Sequence, residues 1–249
     1  MHSIVKVIWS KNSNDKWYAK LFLAGKHSFK TIPLIQGDEI NFEVMNQRRC
    51  TGYSEKIGER TPCPRFNKIQ KGSKCFYCSK KDIYTEYVRG NRGMDTDKKF
   101  SVYLVQIGSR LKVGVTRSEK LERRWVEQGA DFAAEIFSEL TSEKALEKEK
   151  MFSSNNSVSQ RIRKEEKVTK TGGNLVKKFL QDKGLDGDTV DMRKCTVYPK
   201  PSKNLRRKGR LTGKIRSVKG QIISTKRVSM VMTSGKVVKK PVQKGLTGF

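Results

Sequence analysis

The chain has 249 residues, with 54 Lys and Arg against 25 Asp and Glu, a formal net charge of +29. Charge of that sign and size concerns partners rather than fold. It points first to nucleic acid, whose phosphates attract every nearby cation, and second to an anionic membrane surface. Hydrophobic residues make up 35 %, enough for small cores, and their strand and helix periods exclude a wholly disordered chain.

No apolar run approaches the ~18 residues of a membrane span, and MHSIVKVIWSK lacks the zones of a signal peptide. The expectation is a soluble, cytoplasmic protein with no membrane partner. Five cysteines in a reducing compartment then argue for metal ligands or free thiols rather than disulfides.

In chain order, residues 4–9, 17–23, 28–34 and 39–44 read as four short strands separated by turn chemistry. Residues 48–80 are rich in Cys, Gly, Pro and Lys and show little periodicity. Phe100–Ile107 is an apolar run, followed by Gly108-Ser109-Arg110 and a second strand over Leu111–Thr116, a hairpin pattern. A helix over 119–128 ends at Gly129. Phe132–Leu140 is a strand, and a helix capped by Thr141 runs to about Phe152, giving the order β-β-α-β-α. Residues 153–173 are polar and read as a mobile linker. Asn174–Lys183 is a short helix closed by Gly184. Strands return at 211–218, 221–225, 229–233 and 236–242. They form a small basic barrel or open sheet that completes the N-terminal β unit. The fold class is α+β, with segments at 1–47, 48–95, 96–152, 153–192 and 193–249.

Cys50, Cys63, Cys75 and Cys78 have 12, 11 and 2 residues between them. Cys75-Phe76-Tyr77-Cys78 is a knuckle that places two thiolates on one ion, and two upstream cysteines close a tetrahedral set. A structural Zn²⁺ is implied, since this loop has no apolar core of its own. Four thiolates leave no open coordination position, which argues against a catalytic metal. Both histidines, His2 and His27, lie outside the unit. Cys195 reads as an ordinary small apolar residue.

The stretch SVYLVQIGSRLKVGVTRSEKLERRWVEQGA resembles the GIY-YIG nuclease domain over about residues 100–152. Ser101-Val102-Tyr103 stands at GIY and Lys112-Val113-Gly114 at YIG. Arg124 stands at the phosphate-contacting helix Arg, and Glu149 at the metal-binding carboxylate. The resemblance implies that Glu149 holds Mg²⁺ or Mn²⁺, that Arg124 stabilises developing charge and that Tyr103 orients water. Lys112 replaces the second tyrosine, and an ammonium is a poor base near neutral pH. Asn155 and Asn156 stand near the later Asn. The whole chain is similar to an uncharacterised prokaryotic family that combines an N-terminal β segment, four cysteines, this core and a Gly-rich β C-terminus. That family adds architecture and no activity.

From Arg193 to Phe249, 57 residues carry 17 Lys and Arg and no Asp or Glu. Arg206, Arg207, Lys208, Arg210, Lys214, Arg216 and Lys219, with Arg117 and Arg123 of the central module, are candidate nucleic-acid contacts. Aromatics are scarce in this segment, with only Phe249 after Tyr198, so backbone contact with duplex or folded RNA is favoured over base stacking. Two functions stand side by side. One is a zinc-containing binder of structured RNA (ribosomal RNA included) or DNA. The other is a metal-dependent endonuclease acting through Tyr103, Lys112, Arg124 and Glu149.

Overall fold

A computed structural model describes residues 1–88, 97–154, 158–195 and 204–239. Asn155, Asn156, Tyr198, Phe249 and the strand continuation over 240–242 lie outside the described residues, as does the side chain of Cys195.

The first four strands are β1 (His2–Lys11), β2 (Trp17–Ala24), β3 (Phe29–Pro33) and β4 (Glu39–Arg48). The cysteine-rich stretch carries two short helices, α1 (Phe76–Lys81) and α2 (Ile83–Val88). The central module follows as β5 (Phe100–Ile107), β6 (Arg110–Arg117), α3 (Leu121–Gln128), β7 (Phe132–Leu140) and α4 (Ser142–Ser153). Next come β8 (Val158–Ser159), α5 (Leu175–Lys183), β9 (Val190–Asp191) and α6 (Met192–Cys195). The remaining strands are short: β10 (Leu205–Arg206), β11 (Gly209–Lys214), β12 (Ser217–Lys219), β13 (Ile222–Ser224), β14 (Ser229–Val231) and β15 (Lys236–Lys239).

These strands form three mostly antiparallel sheets, ordered β11-β4-β15-β1-β2-β3, β10-β14-β13-β12 and β8-β6-β5-β7-β9. The fold is α+β. The two β-rich ends of the sequence do pair: β15 lies between β1 and β4, and β11 extends the same sheet along β4. The single strand expected over 211–218 is broken at Ile215-Arg216 into β11 and β12, which belong to different sheets.

Strand β5 explains the molecule's layering. All eight of its residues are buried, and they alternate between two cores. Tyr103, Val105 and Ile107 join the cluster built with β1, β2, β4 and α3. Phe100, Val102 and Leu104 join the cluster built with α4 and α5. Side chains alternate faces along a strand, so a strand covered on both sides reads as a continuous apolar run.

The Thr141 cap and the two closing glycines read from the sequence form as expected, and Asn174, read as the first helical residue, is itself a cap. The Thr141 side chain accepts from Lys144 N, and the Asn174 side chain accepts from Lys177 N. Gly129 and Gly184 both end their helices in the left-handed conformation.

The stretch expected as a mobile linker is instead held down over residues 158–173. Val158 and Ser159 pair in parallel with Leu111 and Lys112. The buried Gln106 amide donates to the carbonyls of Gly108 and Gly173 and accepts from Leu175 N. A Cβ on Gly108 (φ +62°) would come within 2.1 Å of Thr169 Oγ1 and 2.5 Å of Glu166 O. Hydrogen bonds to the β5–β6 hairpin and three widely spaced apolar anchors, Val158, Ile162 and Val168, fix this segment, a spacing without strand or helix period.

Candidate metal centre and nucleic-acid interface

The four cysteines converge. All four sulfurs lie within 4.8 Å of one another, and Cys63 Sγ and Cys75 Sγ are 3.9 Å apart. Around a zinc ion with Zn–S of ~2.3 Å, neighbouring sulfurs stand ~3.8 Å apart, so the set fits. The Cys75 amide donates to Cys50 Sγ at 3.2 Å, a contact that orients a thiolate ligand. These thiols, with Tyr53 and Ile69, also form the unit's apolar cluster among the described residues. Four cysteines so placed can hold a metal ion such as zinc.

The unit is clamped to the six-stranded sheet. Arg48 donates to the carbonyls of Gly72 and Ser234, and Arg49 donates to that of Phe66. Inside it, the buried Asp82 accepts from Ser54 N and Thr85 N and pairs with Lys74. The knuckle's tip stays in solvent: Phe76 is 77 % exposed and Tyr77 is 48 % exposed.

Where the cysteine unit, the six-stranded sheet and the central module meet, they leave a cleft of about 830 Å³. Its cations are Lys6 from β1, Arg60 and Lys74 from the cysteine unit, and Lys120, Arg123 and Arg124 from the module. Its acids are Glu59 and Glu127. Glu127 is shared three ways, at 3.6 Å from Lys6, 3.4 Å from Arg123 and 3.5 Å from Arg124. One carboxylate cannot neutralise three cations, so the cleft keeps a positive excess.

Beside this cleft the structure brings Tyr103, Lys112, Arg124 and Glu149 into mutual influence. The Tyr103 phenol is buried, which raises its pKa; the positive charge of Arg124 and the hydrogen bond from Gln128 oppose that. Gln128 Nε2 donates to it at 2.8 Å. Burial also raises Glu149, against the pull of Lys112. Burial brings Lys112 down to about 8; Glu149 resists this and Arg124 adds to it. The Lys112 ammonium donates to Val113 O at 3.0 Å and Gln160 O at 2.7 Å. Gly114, paired with Tyr103 across β5 and β6, lies under the phenol, and a Cβ there would stand 2.5 Å from the tyrosine hydroxyl.

The candidate phosphate contacts divide into groups. Arg123 and Arg124 line the cleft, and Arg117 lies partly buried at the end of β6, 3.8 Å from Glu119. Arg206, Arg207, Lys208, Arg210, Lys214 and Arg216 are exposed on or beside β10 and β11. Of these, Arg207 donates to Glu165 at 2.6 Å. Because β11 is the edge of its sheet, its exposed cations also guard that edge against pairing with another chain. Lys219 corrects the expectation. It is 4 % exposed, and its ammonium is bonded at 2.6 Å to the buried Asp131. Asp131 also accepts from Gly108 N. Lys219 therefore ties β12 to the module and is not offered to phosphate.

Sequence reasoning missed Gln128, which lies one helical turn beyond Arg124 on the same face and could have been found by that spacing. It also missed Lys6, Arg60 and Lys74, which come to the cleft only through tertiary packing.

An antiparallel α+β protein with a closed four-thiol unit and a cationic cleft is the class that fold and site define. The chain belongs to the family described as protein of unknown function (DUF2797), which matches residues 37–233. No curated protein and no solved structure matches it. No helix among the described residues is long and apolar enough to cross a membrane.

Proposed function

We propose that this protein binds nucleic acid along the cationic cleft, with a structural zinc ion holding the cysteine unit that forms one wall. The observation that carries this reading is the excess of Lys and Arg over Glu that three separate parts of the chain bring to the lining of one cleft, although Lys74 is paired with Asp82 and Arg60 is bonded to Thr51. Solvated surface charge would not need to converge in this way. The exposed Phe76 and Tyr77 add stacking platforms that duplex DNA does not use, so folded RNA with unpaired bases, ribosomal RNA included, is the favoured target. The central module serves as a GIY-YIG-like platform. Its β-β-α-β-α order, with Tyr103, Arg124 and Glu149 at one place, supports that likeness.

The second reading, phosphodiester hydrolysis, is favoured by the convergence of the same four side chains. Glu149 would hold a Mg²⁺ or Mn²⁺ ion, which would polarise the phosphate. Arg124 would balance charge on the phosphate oxygens, and Tyr103 would orient water. Two observations weigh against it. Tyr103 is 1 % exposed, and the Lys112 ammonium is occupied by two carbonyls.

The test is a gel-mobility series with labelled duplex DNA, single-stranded DNA and structured RNA, with and without Mg²⁺ or Mn²⁺, wild type beside Glu149→Ala. A shifted, intact band in both proteins that fades steeply with salt is expected. Shortened products that vanish in Glu149→Ala would replace binding by cleavage. Absence of any shift at low salt would overturn both readings.

A further inference from the structure

Behind the large cleft lies a smaller hollow of about 230 Å³, between the helical turn Lys164–Val168 and the sheet strands. It shares Val5, Lys6 and Ser234 with the cleft, so the two adjoin. Its polar lining is Lys6, Lys164, Lys167, Gln221, Thr233 and Ser234. Gln221 is spent on the backbone of Val7, accepting from its N–H at 2.7 Å and donating to its carbonyl at 2.8 Å. Lys164 Nζ donates to Thr233 Oγ1 at 3.4 Å. No carboxylate lines the hollow, and neither Lys164 nor Lys167 forms an ion pair among the described residues.

We propose that this hollow is a binding site for a phosphate monoester. Two ammonium groups that no carboxylate of the hollow neutralises, beside the hydroxyls of Thr233 and Ser234, match a group that carries about −1.5 to −2 at neutral pH. An internal phosphodiester, with one charge, would leave one of them uncompensated. The surroundings sharpen the argument. Lys167 is crowded by Lys219, Lys164, Arg124 and Lys112; Lys164 is crowded by Arg207 and Arg48, which Glu165 offsets only in part. Burial and these like charges hold both lysines below the ordinary lysine range. A cluster of this kind is unfavourable in the free protein and is relieved by a dianion. The chemistry would accept the phosphorylated end of a nucleic acid threaded through the cleft, or a free phosphate ester. Only the first source rests on the nucleic-acid reading.

Two measurements test the site. The first is the melting temperature in inorganic phosphate against chloride of equal ionic strength. The second is fluorescence anisotropy of RNA oligomers ending in a phosphate, at either the 5′ or the 3′ end, against hydroxyl-ended ones. Phosphate should raise the melting temperature of wild type but not of Lys167→Met or Lys164→Met, and Lys167→Arg should restore the effect. One phosphorylated end should bind on the order of tenfold more tightly than its hydroxyl counterpart, a preference that both Met variants lose. Stabilisation by phosphate with no oligomer binding would support the hollow and sink the nucleic-acid reading. Oligomer binding indifferent to the end group, with no stabilisation by phosphate, would overturn the hollow alone. Stabilisation by phosphate combined with end-indifferent binding would rule out the nucleic-acid end and support a free phosphate ester as the occupant; no stabilisation in wild type, or equal stabilisation of both Met variants, would overturn the site.

Discussion

The cysteine unit and the central module solve the same problem by opposite means. The module's β5 is buried at every position and shared between two apolar cores. The cysteine unit has a single small cluster, and four of its five buried members are thiols. Apolar burial contributes in many small increments, so losing one methylene is tolerable. A unit held by four thiols depends on one ligand set, and its folding is linked to the metal. A chain that cannot bury enough apolar area in a loop of some thirty residues can still fix that loop as a wall, provided the ion is present.

That contrast can be broken experimentally. Chelation, or Cys78→Ser, should produce the largest change, on the order of 10 kcal/mol of apparent metal-linked folding energy. Amide exchange should accelerate across 50–81 while β5 amides stay protected. Metal analysis should show close to one zinc per chain, and a folded, metal-free wild type would erase the contrast. The module should respond instead to its packing and its buried ion pair. Lys219→Met strands Asp131 in the core and should cost about 3–5 kcal/mol in denaturant unfolding; a loss below 1 kcal/mol would mean that Asp131 finds water. Gly114→Ala forces the Tyr103 ring aside and should cost about 1–3 kcal/mol, with weaker nucleic-acid binding if the Tyr103–Gln128 contact positions Arg124.

The smallest effect is a pH dependence, reduced by the partial exposure of its groups. Lys112 and Lys167 are held at about 8, against 10.5 for an ordinary lysine. Between those values the unfolded chain binds more protons than the folded one, so stability should rise as pH rises from about 8 to about 10.5. Lys112→Met should flatten part of that rise in urea unfolding followed across the range. An unchanged slope would place the titration elsewhere.

Much of the fold was legible because its signals are local. The strands at 4–9, 17–23 and 100–107, the Thr141 cap and the Gly129 and Gly184 stops depend on period and neighbours alone. The knuckle was legible for the same reason, since two cysteines separated by two residues carry their geometry with them. What was hidden depends on partners distant in sequence. Lys219 has the same side chain as Lys214, and only the buried Asp131, 88 residues away, separates a core ion pair from a surface cation. The segment 158–173 looked unstructured because its order comes from the Gln106 amide, the hairpin backbone and the scattered apolar anchors Val158, Ile162 and Val168. Lys164 and Lys167 stand in a run of mixed charge (RKEEK) that reads as solvated, and only their packing against 231–234 exposes them as a site.

The place of β15 bears on how the protein is made. This strand of four residues lies inside its sheet, with β1 and β2 on one side and β4 on the other, yet it follows all of them in sequence. Until it is translated, the sheet exists as two leaves, β1-β2-β3 and β4 with β11, each with an open edge. Long-range closure of this kind is slow, and open edges recruit other chains. On the ribosome, the nascent protein carries its cysteine unit and its central module for some time before the strand that locks the two leaves together has emerged.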